Sequence, residues 1–167
     1  GYATIRSNAQ NRYVPNFSYG KGKIVWNFES VNMPAGTDGF LYLNGDTWHW
    51  NGAANGAGWI QIRIYPQDST TKSSFKLHYD WTAEEFTLEE SMNDIKTIEL
   101  DTKVDPEDAT KVNVTFSING KVYYSGKKHN AFDLDGHKGV IFYSGFSGPF
   151  SPECTIVFKS LDYEVYE

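Results

Sequence analysis

The stretch Trp59-Ile60-Gln61-Ile62-Arg63-Ile64-Tyr65 alternates β-branched residues with aromatic and polar residues without a break. Successive side chains of a strand point to opposite faces, so this period of two predicts a strand with its isoleucines on one face. The other face then carries two rings, an amide and a guanidinium, from Trp59, Gln61, Arg63 and Tyr65. Flat rings stack on the apolar faces of sugars, and the planar polar groups reach sugar hydroxyls. The alternative is that Trp59 and Tyr65 pack beneath a loop.

The same alternation recurs along the chain. Ile24, Trp26 and Phe28 share one face, which predicts that Trp26 is buried in the core. A second run, Val112–Ile118, is followed by Asn119-Gly120 and another apolar run, the pattern of a tight β-hairpin. In a third run, Phe75, Leu77 and Tyr79 lie opposite Lys76, His78 and Asp80.

Two segments are less regular. Residues 39–43 read as a strand, and the following Asn44-Gly45-Asp46 predicts a turn. Thr82 and Glu85 have the spacing of a helix-capping box ahead of Phe86, Leu88 and Met92. That run is short, and Phe86-Thr87-Leu88 also fits a strand, so we expect irregular structure or one helical turn.

Short strands with frequent turn signals and almost no helix predict an all-β fold. Roughly ten or more strands favour a two-sheet antiparallel β-sandwich, a jelly roll, over a closed barrel. The 167 residues contain no internal linker, so we expect one domain spanning 1–167.

Composition excludes several classes of function. The net charge of −6 argues against non-specific nucleic-acid binding, which needs clustered Lys and Arg. No apolar run is long enough to insert in a membrane. The single cysteine, Cys154, alternates with Ile156 and Phe158, which predicts a buried thiol and excludes an intramolecular disulfide. Aromatic residues make up 16% of the chain, a high share for a domain of this size.

The C-terminal third carries a family resemblance. Residues 112–124 with their Asn-Gly turn, the strand after Gly139, and the final strand from Thr155 resemble the concanavalin A-like (laminin G-like) jelly-roll superfamily. This resemblance implies a two-sheet fold that hosts glycan-binding modules, lectins, glycoside hydrolases and polysaccharide lyases. The fold alone does not choose among them.

Further ligand-binding candidates flank the opening stretch. Trp48 and Trp50 are two residues apart, ahead of a loop of Gly, Ala and Asn that is too small to bury them. His78, on the polar side of the third run, is the remaining candidate. Packing at the sandwich edge is the alternative for the tryptophans, and an ordinary solvated face is the alternative for His78.

A catalytic site and a metal site have weaker support. Glu99 and Asp101 have the i, i+2 spacing of paired carboxylates, but no tryptophan flanks them. Alginate lyases of this fold carry Gln-Ile-His, whereas here Gln61-Ile62 is followed by Arg63. We therefore expect no catalytic residues. For a structural calcium ion, the candidate ligands are Asp38, Asp133 and Asp135.

The sequence thus predicts a non-catalytic carbohydrate-binding module for a polysaccharide, a neutral β-glucan type being favoured over an acidic one. Its expected setting is a larger secreted or cell-surface protein with further domains. One alternative is a small polysaccharide lyase or glycoside hydrolase that uses His78 or Glu99. Another is a laminin G-like adhesion domain that docks a protein.

Overall fold

The computed structural model describes residues 3–6, 10–13, 21–33, 39–47, 60–77, 83–129, 140–147 and 154–166. Within them the chain forms twelve strands and one short 3₁₀ helix, so the all-β prediction is confirmed. The strands are β1 (Ala3–Arg6), β2 (Gln10–Tyr13), β3 (Lys21–Asn32), β4 (Phe40–Thr47), β5 (Ile60–Ile64), β6 (Ser73–Leu77), β7 (Glu84–Phe86), β8 (Thr97–Val104), β9 (Lys111–Ile118), β10 (Lys121–His129), β11 (Val140–Ser147) and β12 (Thr155–Val165).

The strands form two antiparallel sheets of six strands each. The first sheet has the order β1-β12-β3-β8-β9-β10, and the second has the order β2-β11-β4-β5-β6-β7. This is the predicted jelly-roll sandwich. The helix that is present in the described residues, Met92–Asp94, is far too short to cross a membrane.

The core lies between the sheets and follows the alternation read from the sequence. Trp26 is 1% exposed, and its face-mates Ile24 and Phe28 are also buried. Phe75 of the second sheet stacks on Phe116 of the first, with ring centroids 5.3 Å apart and planes 6° from parallel. Cys154 is buried, as predicted, and burial raises the pKa of its thiol.

One predicted turn is wrong. Asn44, Gly45 and Asp46 continue strand β4, because both neighbouring strands pair with it there: Gly45 lies opposite Ile60 of β5 and Phe142 of β11. Hydrogen bonding on both edges satisfies the backbone of this segment and overrides the local preference of Asn-Gly for a turn.

The segment between β7 and β8 crosses from the second sheet to the first. Its only helix in the described structure is the 3₁₀ turn Met92–Asp94, which Ser91 caps by accepting from the backbone N–H of Asn93. Leu88, Met92 and Ile95 anchor the crossing in the core. The single helical turn therefore lies later than the capping box at Thr82 and Glu85 predicted. Glu85 and Phe86 belong to strand β7, which pairs with β6, and the turn begins only after Ser91.

The edge strands β7 and β10 close one side of the sandwich. Lys128 of β10 has a side chain only 3% exposed, and its Nζ lies 2.7 Å from Oε1 of Glu84 in β7. Beside this ion pair, the ring of Phe86 lies 4.9 Å from that of Tyr123. A register shift between Val122 and Tyr124 lets both tyrosines, Tyr123 and Tyr124, pack against the core.

Candidate functional site

The outer face of the second sheet carries the side chains that the opening stretch predicted to be solvent-facing. Ile62 and Ile64 are fully buried, whereas Arg63 is exposed and Gln61 and Tyr65 are partly exposed. The predicted parity of β5 is therefore correct at these positions. We call this surface, made by β4, β5 and β6 on the side away from the core, the outer face.

Strand β4 contributes two further aromatic residues. Leu41 and Leu43 are buried, so Phe40 and Tyr42 lie on the outer face, next to β5. Phe40 and Tyr65 form a cross-strand pair with centroids 4.9 Å apart. The Tyr42 ring meets Phe40 edge-on at 6.4 Å. Cross-strand aromatic pairs of this kind stabilise a sheet and fix the ring positions.

Arg63 is held over this aromatic group. Its guanidinium carbon lies 5.3 Å from the centroid of the Phe40 ring, a cation–π contact. No carboxylate among the described residues forms an ion pair with Arg63. The guanidinium is therefore oriented by an aromatic ring, and no carboxylate in the described part of the chain occupies its N–H donors.

The strand register aligns residues of β4, β5 and β6 in two rows across the sheet. In one row, Gln61 is paired with Asn44 of β4 and Lys76 of β6. In the other row, Arg63 is paired with Tyr42 and Ser74. Neighbouring strands lie about 4.8 Å apart, so each row spans roughly the length of two sugar units.

The outer face contains two rings that the sequence-based prediction did not include. Phe40 and Tyr42 belong to a predicted strand but not to the predicted binding surface. The sequence does contain a pattern that predicts their position. Aromatic and aliphatic residues alternate along Phe40-Leu41-Tyr42-Leu43, so the two rings share one face of the strand. What the sequence alone does not give is the register that sets Tyr42 beside Arg63.

Four predicted ligand-binding residues, Trp48, Trp50, Trp59 and His78, lie outside the described residues. So do the expected calcium ligands, Asp38, Asp133 and Asp135. Among the residues that are described, no cluster of His, Cys, Asp and Glu is arranged to hold a metal ion.

Glu99 and Asp101 are on the other sheet. They flank the buried Leu100 of β8, and the Asp101 carboxylate accepts a 2.8 Å hydrogen bond from the Tyr166 hydroxyl. Burial, together with this hydrogen bond, raises the pKa of Tyr166. The whole sandwich separates these carboxylates from Gln61 and Arg63. A catalytic site that combines Glu99 with the outer face is therefore excluded by the fold.

Comparison with known proteins shows the fold. No protein-family description matches the sequence, and no curated protein sequence is significantly similar. Among solved structures, a mutant form of the carbohydrate recognition domain of Emp46p has a TM-score of 0.62 at 14% identity, covering 99% of this chain and 86% of that one. The corresponding domain of Emp47p has a TM-score of 0.61 at 14% identity, with 100% and 84% covered.

An alginate lyase, PA1167 from Pseudomonas aeruginosa, also matches, with a TM-score of 0.52 at 14% identity over 90% of this chain and 68% of that one. One Emp46p structure is a potassium-bound form. Carbohydrate recognition domains and an alginate lyase thus share this architecture, and the likeness shows the jelly-roll fold that the C-terminal third of the sequence indicated.

Proposed function

We propose that this protein is a non-catalytic carbohydrate-binding module that binds a polysaccharide of neutral β-glucan type on the outer face. The observation that carries the proposal is the exposed Arg63, which is oriented by Phe40 and has no carboxylate partner in the described structure. It lies among the partly exposed rings of Tyr42 and Tyr65.

Each group has a distinct role in this proposal. Tyr42 and Tyr65 offer flat rings to the apolar faces of sugars, and Gln61 and Arg63 offer hydrogen bonds to hydroxyl groups. Phe40 acts as a positioning residue, since it contacts Tyr42, Tyr65 and Arg63 at once. A ring stacked on a sugar contributes about 1 kcal/mol beyond area burial, by analogy with aromatic pairs.

The tryptophans extend the proposed platform. Strand β4 ends at Thr47, directly before Trp48, and β5 begins at Ile60, directly after Trp59. We propose that Trp48, Trp50 and Trp59 continue the binding surface beyond the paired strands, with His78 following the end of β6. Replacing any of these tryptophans with alanine should then weaken binding several-fold and leave the fold intact.

Modest affinity per site fits a module in a larger secreted or cell-surface protein. Linking a weak binding domain to another domain raises its effective affinity by raising the local concentration of ligand. The names of the structural relatives support a carbohydrate ligand, because they describe carbohydrate recognition domains and alginate lyases.

The direct test compares two tyrosines, one on each sheet. A polysaccharide panel in affinity gels identifies a ligand, and binding is then measured for Tyr65→Ala and for Tyr163→Ala, whose exposed ring lies on the first sheet. We expect Tyr65→Ala and Gln61→Ala to weaken binding at least several-fold and Tyr163→Ala to leave it unchanged. Circular dichroism confirms that each variant is folded. Wild-type affinity in folded Tyr65→Ala and Gln61→Ala would refute the outer face as the site.

The lyase alternative is favoured by one observation, the likeness to alginate lyases, and it makes a different prediction. A lyase releases unsaturated oligosaccharides from an acidic polysaccharide, which ultraviolet absorbance detects. We expect no such product from any polysaccharide in the panel. The same screen tests the protein-docking alternative, which predicts that no glycan in the panel changes the tryptophan fluorescence.

A further inference from the structure

A cavity of about 330 Å³ opens at one end of the sandwich, and its lining includes none of the aromatic residues of the outer face. Three segments meet there: the end of β3, the turn that follows β5, and the capped 3₁₀ turn. The volume falls within the range of roughly 300–1,000 Å³ found for small-molecule sites. The lining residues are Met33, Pro66, Gln67, Asp68, Ser91, Met92 and Asn93.

The apolar part of the lining is fixed by the core. Met33 and Met92 are 4% and 3% exposed, so packing holds them in place as one wall of the cavity. A hydrogen bond of 2.9 Å from the backbone N–H of Met33 to Oδ1 of Asn93 ties the two sides together. Methionine side chains are polarisable and adapt to irregular apolar surfaces.

The polar side chains of the lining keep hydrogen-bond donors and acceptors that no other described residue occupies. The Asn93 side chain accepts through Oδ1, which fixes the amide and leaves its N–H₂ donors without a partner in the described residues. Gln67 donates from Nε2 to the backbone carbonyl of Glu89, which leaves its Oε1 as an acceptor. Ser91 Oγ accepts from the Asn93 backbone at 3.3 Å and keeps its own O–H to donate. The exposed Asp68 carboxylate receives no hydrogen bond from any described residue.

We infer that this cavity binds one sugar unit, as a second site that does not depend on the outer face. A sugar presents an apolar C–H face, which matches Met33 and Met92, and hydroxyl groups that both donate and accept. The rim offers acceptors on Asp68 and Gln67 and donors on Asn93 and Ser91, so it complements a group of that mixed character.

The charge of the lining favours a neutral ligand over a charged one. Of the described residues, those that line the cavity include one carboxylate and no Lys or Arg, so a uronate or a phosphate would be repelled. A primary amine is the competing ligand, since it would pair with Asp68. An exposed carboxylate in water binds an isolated ammonium weakly, and an amine would leave the amide donor of Asn93 unused.

The test uses the intact protein with methyl glycosides of common neutral hexoses as probes, followed by backbone amide shifts in NMR. We expect saturable shifts at residues 67–68 and 91–93 with a Kd on the order of 1 mM, because only a few net hydrogen bonds form. Asp68→Ala should weaken this binding at least fivefold, since it removes a charged hydrogen-bond acceptor. Glu107→Ala, an exposed acidic residue on a distant turn, is the matched control and should bind as the wild type does.

Two further arms separate the outcomes. If a neutral oligosaccharide shifts the cavity residues as the methyl glycoside does, the cavity accepts the end of a chain. Shifts with the methyl glycoside alone would identify a site for a single sugar. Gln61→Ala, a change in the outer face five residues before the first lining residue of that turn, should leave the Kd of the glycoside at the cavity unchanged, so failure of the outer face and failure of the cavity are distinguishable. The inference is overturned if no glycoside shifts residues 67–68 and 91–93, or if methylamine competes for the cavity more strongly than every glycoside.

Discussion

Among the described residues, Trp26 is the largest of the side chains that are fully enclosed between the sheets. It lies in β3, where it is paired with Ile98 of β8 and Leu161 of β12, so strands on both sides depend on its volume. The alternation of Ile24, Trp26 and Phe28 was enough to predict this burial, because one face of a strand in a sandwich must meet the other sheet.

Trp26→Ala should lower the free energy of unfolding by about 3–5 kcal/mol, the usual cost of truncating a buried large aromatic residue. Chemical denaturation followed by circular dichroism measures the loss. Tyr163→Ala, which removes a ring that is 49% exposed, serves as the control and should cost far less. A midpoint for Trp26→Ala close to that of the wild type would contradict the burial described above.

At the scale of elements, the β9–β10 hairpin shows how much a short pattern predicts and where it stops. Asn119 and Gly120 have φ values of 50° and 80°, the left-handed conformation that the Asn-Gly pair indicated. The pattern did not reveal a second role of Asn119. Its Oδ1 accepts from the backbone N–H groups of Lys96 and Thr97, at 2.7 Å and 3.0 Å, and its Nδ2 donates to the carbonyl of Asp94 at 2.8 Å.

Asn119→Gly separates these two roles, because glycine keeps the left-handed turn and removes the side-chain hydrogen bonds. We expect a loss of about 1–3 kcal/mol in the free energy of unfolding. Gly120→Ala is the counterpart: nothing lies within 4 Å of an added Cβ, so only the positive φ is penalised, by about 1–2 kcal/mol. Thermal unfolding measures the stability of both variants. An Asn119→Gly variant as stable as the wild type would show that the hydrogen bonds to Lys96, Thr97 and Asp94 do not stabilise the protein.

The outer face was predictable in part for the same reason. Side chains alternate between the two faces of a strand, and this alternation can be read from a short stretch of sequence. Gln61, Arg63 and Tyr65 were therefore correctly assigned to one face. The cation–π contact between Arg63 and Phe40 depends on the pairing of β4 with β5, which joins residues far apart in the chain. The wrong turn at Asn44–Asp46 has this cause too, since a local preference was read without the two strands that pair there.

At the scale of the whole molecule, a half-buried ion pair joins the two sheets along one side of the sandwich. Lys128 and Glu84 belong to different sheets, and Lys128 is almost fully enclosed. Burying an ammonium group is costly unless a carboxylate lies beside it. This pair therefore connects the two edge strands, β7 and β10, which hold no other strand on that side in the described residues.

Glu84→Gln should destabilise the protein by about 1–3 kcal/mol, less than for a fully buried pair because the Glu84 side chain is 40% exposed. Glu85→Gln is the matched control, since Glu85 is the adjacent carboxylate and lies exposed on the opposite side of β7. Denaturation curves at neutral pH compare the two. Equal stability of both variants would mean that the Lys128 ammonium has sufficient other partners.

The protein has a net charge of −6, so the effect of salt on its affinity for a polysaccharide depends on the charge of that polysaccharide. A neutral polysaccharide held by rings and hydrogen bonds gains nothing from long-range attraction, so its affinity should change little between low and high salt. Titrations at two salt concentrations measure this. A steep loss of affinity at high salt, with Arg63→Ala costing more than Tyr65→Ala, would identify an acidic glycan as the ligand.

The order of strands within the sheets also constrains how the chain folds during its synthesis on the ribosome. Strand β12 lies between β1 and β3, and β11 lies between β2 and β4. The four strands that are synthesised first are therefore separated in both sheets by the two that are synthesised last. A nascent chain exposes open strand edges until β12, which ends at Val165, has emerged from the exit tunnel. Such edges promote aggregation and chaperone binding. Folding of both sheets must accordingly be completed after almost the whole sequence has left the exit tunnel, and truncation before β11 would leave neither sheet continuous.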